Sequence, residues 1–133
     1  LDNSMLNTSP VFAWYVAGLV FEWIIVKGGL ELMSELNQEK SSLLYDFIDS
    51  SEFYKNPVNP KYRSWVNIPF TLTSNNLDER FLNEASNEGL MNLKGHRTVG
   101  GMRASVYNAM PIEGVKKLIA FMENFETNNI EDV

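Results

Sequence analysis

The chain has 133 residues, 44% of them hydrophobic and 21% charged, with a net charge of −6. That balance fits one core of ordinary size in a soluble globular domain, and it excludes non-specific nucleic-acid binding, which needs a basic face. Zero cysteines exclude disulfides and thiolate metal sites, a single histidine excludes a multi-histidine metal site, and the expected location is the cytoplasm.

The chain begins at Leu1, and no basic, apolar and small-residue leader precedes its first apolar stretch, so it reads as a processed product or an excised piece of a longer protein. Val11 to Val26 is 16 residues of almost unbroken apolar sequence carrying Glu22. A membrane span wants about 20 apolar residues and tolerates a central charge poorly, so no membrane partner is expected. The stretch reads as a helix that should be covered on all sides, with Ser9 as N-cap, Pro10 at the first helical position and Gly28-Gly29 closing it. A second helix is predicted from about Leu30 to Ser50, with Leu30, Met33, Leu36, Leu43, Leu44, Phe47 and Ile48 as its core stripe and Lys40 interrupting it.

Ser51 to Pro60 reads as strand edge plus loop, and Arg63 to Leu72 as a strand. Val66, Ile68, Phe70 and Leu72 share one face there, and Pro69 suggests an edge or a bulge. Asn75 or Asn76 would cap a third helix reaching Glu88, with Leu77, Phe81, Leu82 and Ala85 inward and Gly89 at its end. Short strands over Leu90–Lys94 and Met102–Asn108 would form a hairpin around Gly100-Gly101. Pro111 opens a last helix that buries Ile112, Val115, Leu118, Ile119, Met122 and Phe125, and a frayed polar tail follows from Thr127. Trp14, Trp23 and Trp65 read as core. The fold class is α+β: a small mixed or antiparallel sheet with helices packed on one face.

Lys94 to Arg103 concentrates chemistry. It holds Lys94, His96, Arg97 and Arg103 in ten residues, and no Asp or Glu lies between Glu88 and Glu113. Paired guanidinium forks suit phosphate and carboxylate oxygens. If the segment is a hairpin, His96 with Arg97 could hold one anion and Arg103 another. The competing reading is a solvated turn whose arginines pair with Glu88 or Glu113. His96 alone is weak evidence for catalysis. Asn7-Thr8-Ser9-Pro10 precedes a helix and so offers either a phosphate site or plain capping.

Leu93-Lys94-Gly95-His96-Arg97, Gly100-Gly101-Met102-Arg103-Ala104-Ser105 and Tyr107-Asn108-Ala109-Met110-Pro111 resemble the C-terminal signature of the phosphoserine aminotransferase family. Asn7-Thr8, followed by Phe12-Ala13-Trp14-Tyr15, resembles a segment of the same family further upstream. The likeness runs from about Leu6 to Phe125. It implies a fold-type I, class-V, pyridoxal-phosphate-dependent enzyme, a cytoplasmic homodimer. Such an enzyme moves an amino group between L-glutamate and 3-phosphohydroxypyruvate, giving O-phospho-L-serine and 2-oxoglutarate, in serine and, in many bacteria, pyridoxine synthesis. The resemblance implies that His96 and Arg97 bind the substrate phosphate, that Arg103 binds its α-carboxylate, and that Asn7 and Thr8 contact the cofactor phosphate across the dimer interface. Ser9 stands where the family usually has a second proline.

None of Lys27, Lys40, Lys55, Lys61, Lys94, Lys116 and Lys117 sits in a context like the family's Schiff-base lysine, which lies upstream of the segment matching Asn7-Thr8. The chain thus resembles a C-terminal third. Residues 1–32 would be the tail of the large cofactor-binding domain and residues 33–133 the small C-terminal domain. The expectation is a fragment that recognises small-molecule substrates and is inactive alone. The alternatives are a non-catalytic anion-binding module of the same fold and a dimerisation module using the apolar helix.

Overall fold

A computed structural model describes residues 7–130. In chain order the elements are helix α1 (Val11–Val26), helix α2 (Gly29–Ser50), strand β1 (Tyr54–Lys55), strand β2 (Asn67–Leu72), helix α3 (Asp78–Asn87), strand β3 (Met102–Ser105) and helix α4 (Ile112–Asn129). Single 3-10 turns at Pro60–Tyr62 and Asn75–Leu77 precede β2 and α3. The chain divides into two compact units, Leu1–Glu35 and Leu36–Val133.

In the first unit α1 starts one residue later than the sequence suggests. Its N-cap is Pro10, with no side-chain cap, so Ser9 does not take that role. Pro10 fits there because it has no N–H to leave unsatisfied. None of the 16 residues of α1 is buried, and Phe12 and Trp14 are 80% and 71% exposed. The cover expected for this helix is therefore not supplied. Gly28 turns the chain at its end with a φ of 107°, a conformation that favours glycine. No single helix among the described residues is long and apolar enough to cross a membrane.

The second unit holds the core. Its sheet has the order β1-β2-β3 and is antiparallel throughout. Period-two alternation sends Ile68, Phe70 and Leu72 of β2, and Met102 and Ala104 of β3, to one face, where all are buried. Leu44, Tyr45 and Ile48 of α2, Phe81 and Ala85 of α3, and Val115, Leu118, Phe121, Met122 and Phe125 of α4 complete the same cluster. The helices thus lie on one face of the sheet. Edge-to-face aromatic pairs run through the centre: Phe81 meets Phe125 at 5.0 Å and Phe121 at 5.1 Å between ring centroids. These rings fill the place expected for tryptophan. Trp65 is 47% exposed, Trp14 is on the open α1, and Trp23 is half-buried.

Several expectations change. Leu90–Lys94 forms no strand; only Lys94 bridges to Met102. Asn92 adopts a φ of 62° and breaks the extended run. The stretch beginning at Arg63 forms a strand only from Asn67. Pro69 lies in the central strand, not an edge strand. Because Val106 N–H bonds Val66 O, odd-numbered residues of β2 face β1, and β1 ends before it reaches Pro69. The missing proline N–H therefore meets no ladder, and Pro69 O accepts from Asn56 Nδ2 at 2.6 Å. The N-cap of α3 is Leu77 rather than an asparagine. α4 runs on to Asn129, which is buried and donates to Phe125 O at 2.7 Å, so residues 127–129 are helical where fraying was expected, and the rest of the expected tail, 131–133, lies outside the described residues.

Candidate functional site

The segment between Lys94 and Met102 is a closed loop. Gly95 N–H donates to Gly101 O at 2.8 Å. His96 O accepts from both Val99 N–H (2.9 Å) and Gly100 N–H (2.8 Å). Glycine is required at 95, because a Cβ there would overlap the Gly100 carbonyl oxygen. Gly100 and Gly101 carry φ of 77° and 60°, and these left-handed residues turn the chain back into β3. The predicted hairpin is thus present as a loop shut by one bridge instead of two strands.

This loop leaves His96 and Arg97 exposed. Thr98 N–H points at His96 Nδ1 (3.3 Å), which makes Nδ1 the acceptor and leaves Nε2 as the donor of the exposed ring. Arg103 follows on β3, on the sheet face opposite the core. Its backbone N–H bonds Leu93 O at 2.7 Å, and its side-chain Nε is buried with no hydrogen-bond partner. The ion pairs among the described residues are Arg63–Asp49 and Arg80–Glu84, so neither Arg97 nor Arg103 is neutralised by Glu88 or Glu113. The solvated-turn reading needed those pairs. The loop and β3 bring His96, Arg97 and Arg103 into one segment of the second unit.

Asn7 and Thr8 stand in the first unit. Both are exposed, and neither side chain makes a hydrogen bond among the described residues. Val11 N–H bonds Ser9 O and Trp14 N–H bonds Pro10 O, leaving first-turn amides of α1 open in the usual way. Uncommitted polar side chains before an uncapped helix start are a donor set that suits a phosphate. Among the described residues no three His, Cys, Asp or Glu side chains gather to hold a metal.

The residue that sequence reasoning misplaced is Lys40. It does not interrupt an apolar stripe; it lies on the buried face of α2 with Asn37, Ser41, Leu44, Tyr45 and Ile48, and is 3% exposed. Its Nζ donates to Tyr107 O and Met110 O, each at 3.0 Å. One turn earlier Asn37 Nδ2 donates to Asn108 Oδ1 at 2.7 Å. Burial pushes the Lys40 pKa below its ordinary value, since the charged form loses solvent. The signal in sequence was spacing: Asn37, Lys40, Leu44 and Ile48 fall at helical intervals. The Tyr107–Pro111 segment is thereby tied to α2 immediately after the strand that carries Arg103.

The family model described as Aminotransferase class-V matches residues 2–118. The chain belongs to the class-V aminotransferases. Among relatives of this family, the phosphoserine aminotransferase of Idiomarina loihiensis is 59% identical over 125 residues, 94% of this chain and 35% of its own length. That of Pseudomonas fluorescens is 57% identical over the same share of each. The structure of the phosphoserine aminotransferase from Bacillus circulans subsp. alkalophilus superposes with a TM-score of 0.91 at 45% identity, covering 96% of this chain and 36% of that one. A pyridoxal-phosphate-bound phosphoserine aminotransferase from Trichomonas vaginalis gives 0.84 at 42%, covering 92% and 35%. This class-V chain therefore spans about a third of the length of the curated relatives it matches.

Proposed function

We infer that this chain is the substrate-recognition third of a phosphoserine aminotransferase, which transfers an amino group between L-glutamate and 3-phosphohydroxypyruvate. The observation that carries this reading is the un-neutralised cationic run of His96, Arg97 and Arg103, on a closed loop and the strand that follows it, in a chain of net charge −6. A phosphorylated amino acid has anions at both ends. His96 Nε2–H and the Arg97 guanidinium bind the phosphate; Arg103 binds the α-carboxylate through its fork. Holding both ends fixes the orientation of Cα, which is the residues' contribution to rate. Asn7 and Thr8 hold the phosphate of pyridoxal phosphate, in keeping with their uncommitted side chains before α1. Bound there, the cofactor supplies an electron sink for bond-breaking at Cα.

The lysine that carries the cofactor lies outside residues 1–133, so the chain alone is inactive. Lys40 is unsuited to that role, because its Nζ is already held by two carbonyl oxygens. Residues 1–32 are the end of the large domain and 33–133 the small domain of a cytoplasmic homodimer, an assignment that rests on the family likeness. In the full-length enzyme, Arg103→Ala should weaken kcat/KM by about 1.5–3 kcal/mol or more, the scale of a hydrogen bond to a charged group. Unchanged kinetics would remove Arg103 from the site. Incubating the 133-residue chain with pyridoxal phosphate and trapping with borohydride should give no adduct confined to one lysine; a single stoichiometric adduct would overturn the claim of inactivity.

A further inference from the structure

The sheet face that carries Arg103 has other polar residues. Arg103 N–H points away from β2 to Leu93 O, whereas Val106 N–H points to Val66 O. Asn67–Ser105 and Pro69–Arg103 are therefore the non-hydrogen-bonded pairs of the β2–β3 ladder. In such pairs the Cα atoms approach to about 4.5 Å and the side chains lie closest together. All four side chains leave the core face and are half-buried. Pro69, directly opposite Arg103, offers no polar side-chain atom. Asn67 is diagonal to Arg103, at a spacing of roughly 7–8 Å that a long side chain bridges. Ser105, two residues along the same strand, completes the set.

Ser105 Oγ stands 3.5 Å from Asn67 Oδ1, a long hydrogen bond in which the hydroxyl donates. That contact turns the amide so that its Nδ2 hydrogens are free, and Asn67 Nδ2 has no partner among the described residues. Arg103 Nε is likewise unpartnered. The face thus presents unpartnered donors, and among the described residues no carboxylate pairs with Arg103. A bound carboxylate has about four acceptor positions, of which a guanidinium fork fills two.

We propose that Asn67 is a second donor to the carboxylate held by Arg103, and that Ser105 is the positioning residue that aims its amide. This rests on the assignment of Arg103 to the substrate carboxylate, and it adds a residue pair that sets selectivity for α-carboxylated substrates. The pair would make the enzyme discriminate against phosphorylated amines lacking that group.

The test uses the full-length, cofactor-loaded enzyme and two ligands, O-phosphoserine and phosphoethanolamine, which differ only by the carboxylate. Dissociation constants are measured for the unaltered enzyme and for the variants Asn67→Ala, Asn67→Asp, Ser105→Ala and Arg103→Ala. Asn67→Ala should weaken phosphoserine binding by about ten-fold, the loss expected for one charge-assisted hydrogen bond, and leave phosphoethanolamine unchanged. Asn67→Asp, close to isosteric, should weaken phosphoserine further by repulsion, and Ser105→Ala should weaken it by less than Asn67→Ala. Equal losses for both ligands, or no loss for either, would overturn the proposal. If Arg103→Ala abolishes the discrimination while the Asn67 variants keep it, Asn67 fails and the Arg103 reading stands. If Arg103→Ala keeps the discrimination, the underlying reading of the site fails with it.

Discussion

Replacing Lys40 by methionine tests whether a buried ammonium can be a net stabilising tie. The unbranched methionine side chain fills nearly the same channel, so no large cavity is left. What disappears is a pair of hydrogen bonds, both 3.0 Å, to Tyr107 O and Met110 O. Tyr107 O keeps the bond from Met110 N–H at 2.9 Å, so it is not orphaned. Met110 O loses its side-chain donor, at a cost of about 1–3 kcal/mol if water cannot replace it. The two charged bonds are worth about 1.5–3 kcal/mol each, against a desolvation penalty of several kcal/mol for the ammonium. The difference should be a loss of about 1–3 kcal/mol at neutral pH, read as a lower midpoint in urea with an unchanged slope. A Lys40→Met chain as stable as the parent, or more stable, would show that desolvation wins.

The pH dependence gives an independent arm. Folding lowers the pKa of Lys40 below 10.5, so between its folded value and 10.5 the unfolded chain binds more protons than the folded one. Stability contributed by this group therefore rises with pH through that window and is lost as pH falls through the folded pKa. A neutral amine still has two N–H donors for its two carbonyls. The stability gap between parent and Lys40→Met should thus widen from neutral pH toward pH 10.5. A gap that narrows would mean that the positive charge, not the hydrogen bonds, holds the Tyr107–Met110 turn.

Other residues give sharper single readings. Gly95→Ala forces a Cβ against the Gly100 carbonyl and within 2.8 Å of Gly101 O, so it should cost about 1–3 kcal/mol and strip the Val99 and Gly100 amides of hydrogen-exchange protection. Gly18→Ala, in the middle of α1 with nothing within 4 Å of the new Cβ, should instead stabilise by about 0.5–1 kcal/mol in thermal unfolding. Arg63 holds Asp49 through two bonds of 2.5 and 2.8 Å and lies 4.6 Å over the Tyr45 ring; Arg63→Lys should cost about 1 kcal/mol, discounted because Asp49 is half exposed. Tyr54 donates to Met122 O at 2.9 Å inside the core, and burial, with Glu126 adding to it, pushes its phenol far above the ordinary range. Tyr54→Phe should cost about 0.5–1.5 kcal/mol, the net worth of one hydrogen bond, because Met122 O lies mid-helix in α4 and keeps its backbone donor; urea unfolding measures it.

An unbroken apolar run made α1 readable in the sequence, and apolar periodicity did the same for the inward face of β2 and the buried stripe of α4. The same reasoning failed where a polar residue was buried. Lys40 and Asn37 look like surface residues because a lysine is almost never fully buried without acceptors, and their acceptors lie 67 to 71 residues away. Asn129 was lost as well, although its acceptor, Phe125 O, lies one turn back in the same helix. Pro69 misled because a central strand that is locally an edge can be recognised only once the length of β1 is known. The tryptophans misled because size alone does not decide which ring reaches a core; position on the element does, and it selected Phe70 on the inward face of β2 and Phe81, Phe121 and Phe125 on the inward faces of α3 and α4.

The proposed anion site shows the complementary case, in which composition is informative because it is locally wrong. An acidic chain could easily have placed a carboxylate beside Arg97 or Arg103, and a surface pair of that kind would have contributed up to about 1 kcal/mol. Instead the loop spends three glycines on closing tightly, His96 is aimed by a backbone amide, and the Arg103 Nε sits buried without a partner. The glycines and the orphaned Nε cost stability in the free chain. A donor left unsatisfied and a loop held rigid are what the proposed anion would complete, because preorganised donors lose little freedom when the ligand arrives. The tie from Lys40 to the segment after β3 belongs to the same economy of motion: it fixes the far end of the strand whose near end is fixed by Leu93. Arg103 is thereby held from both sides, and Asn67 and Ser105 share the strand pair that is so held.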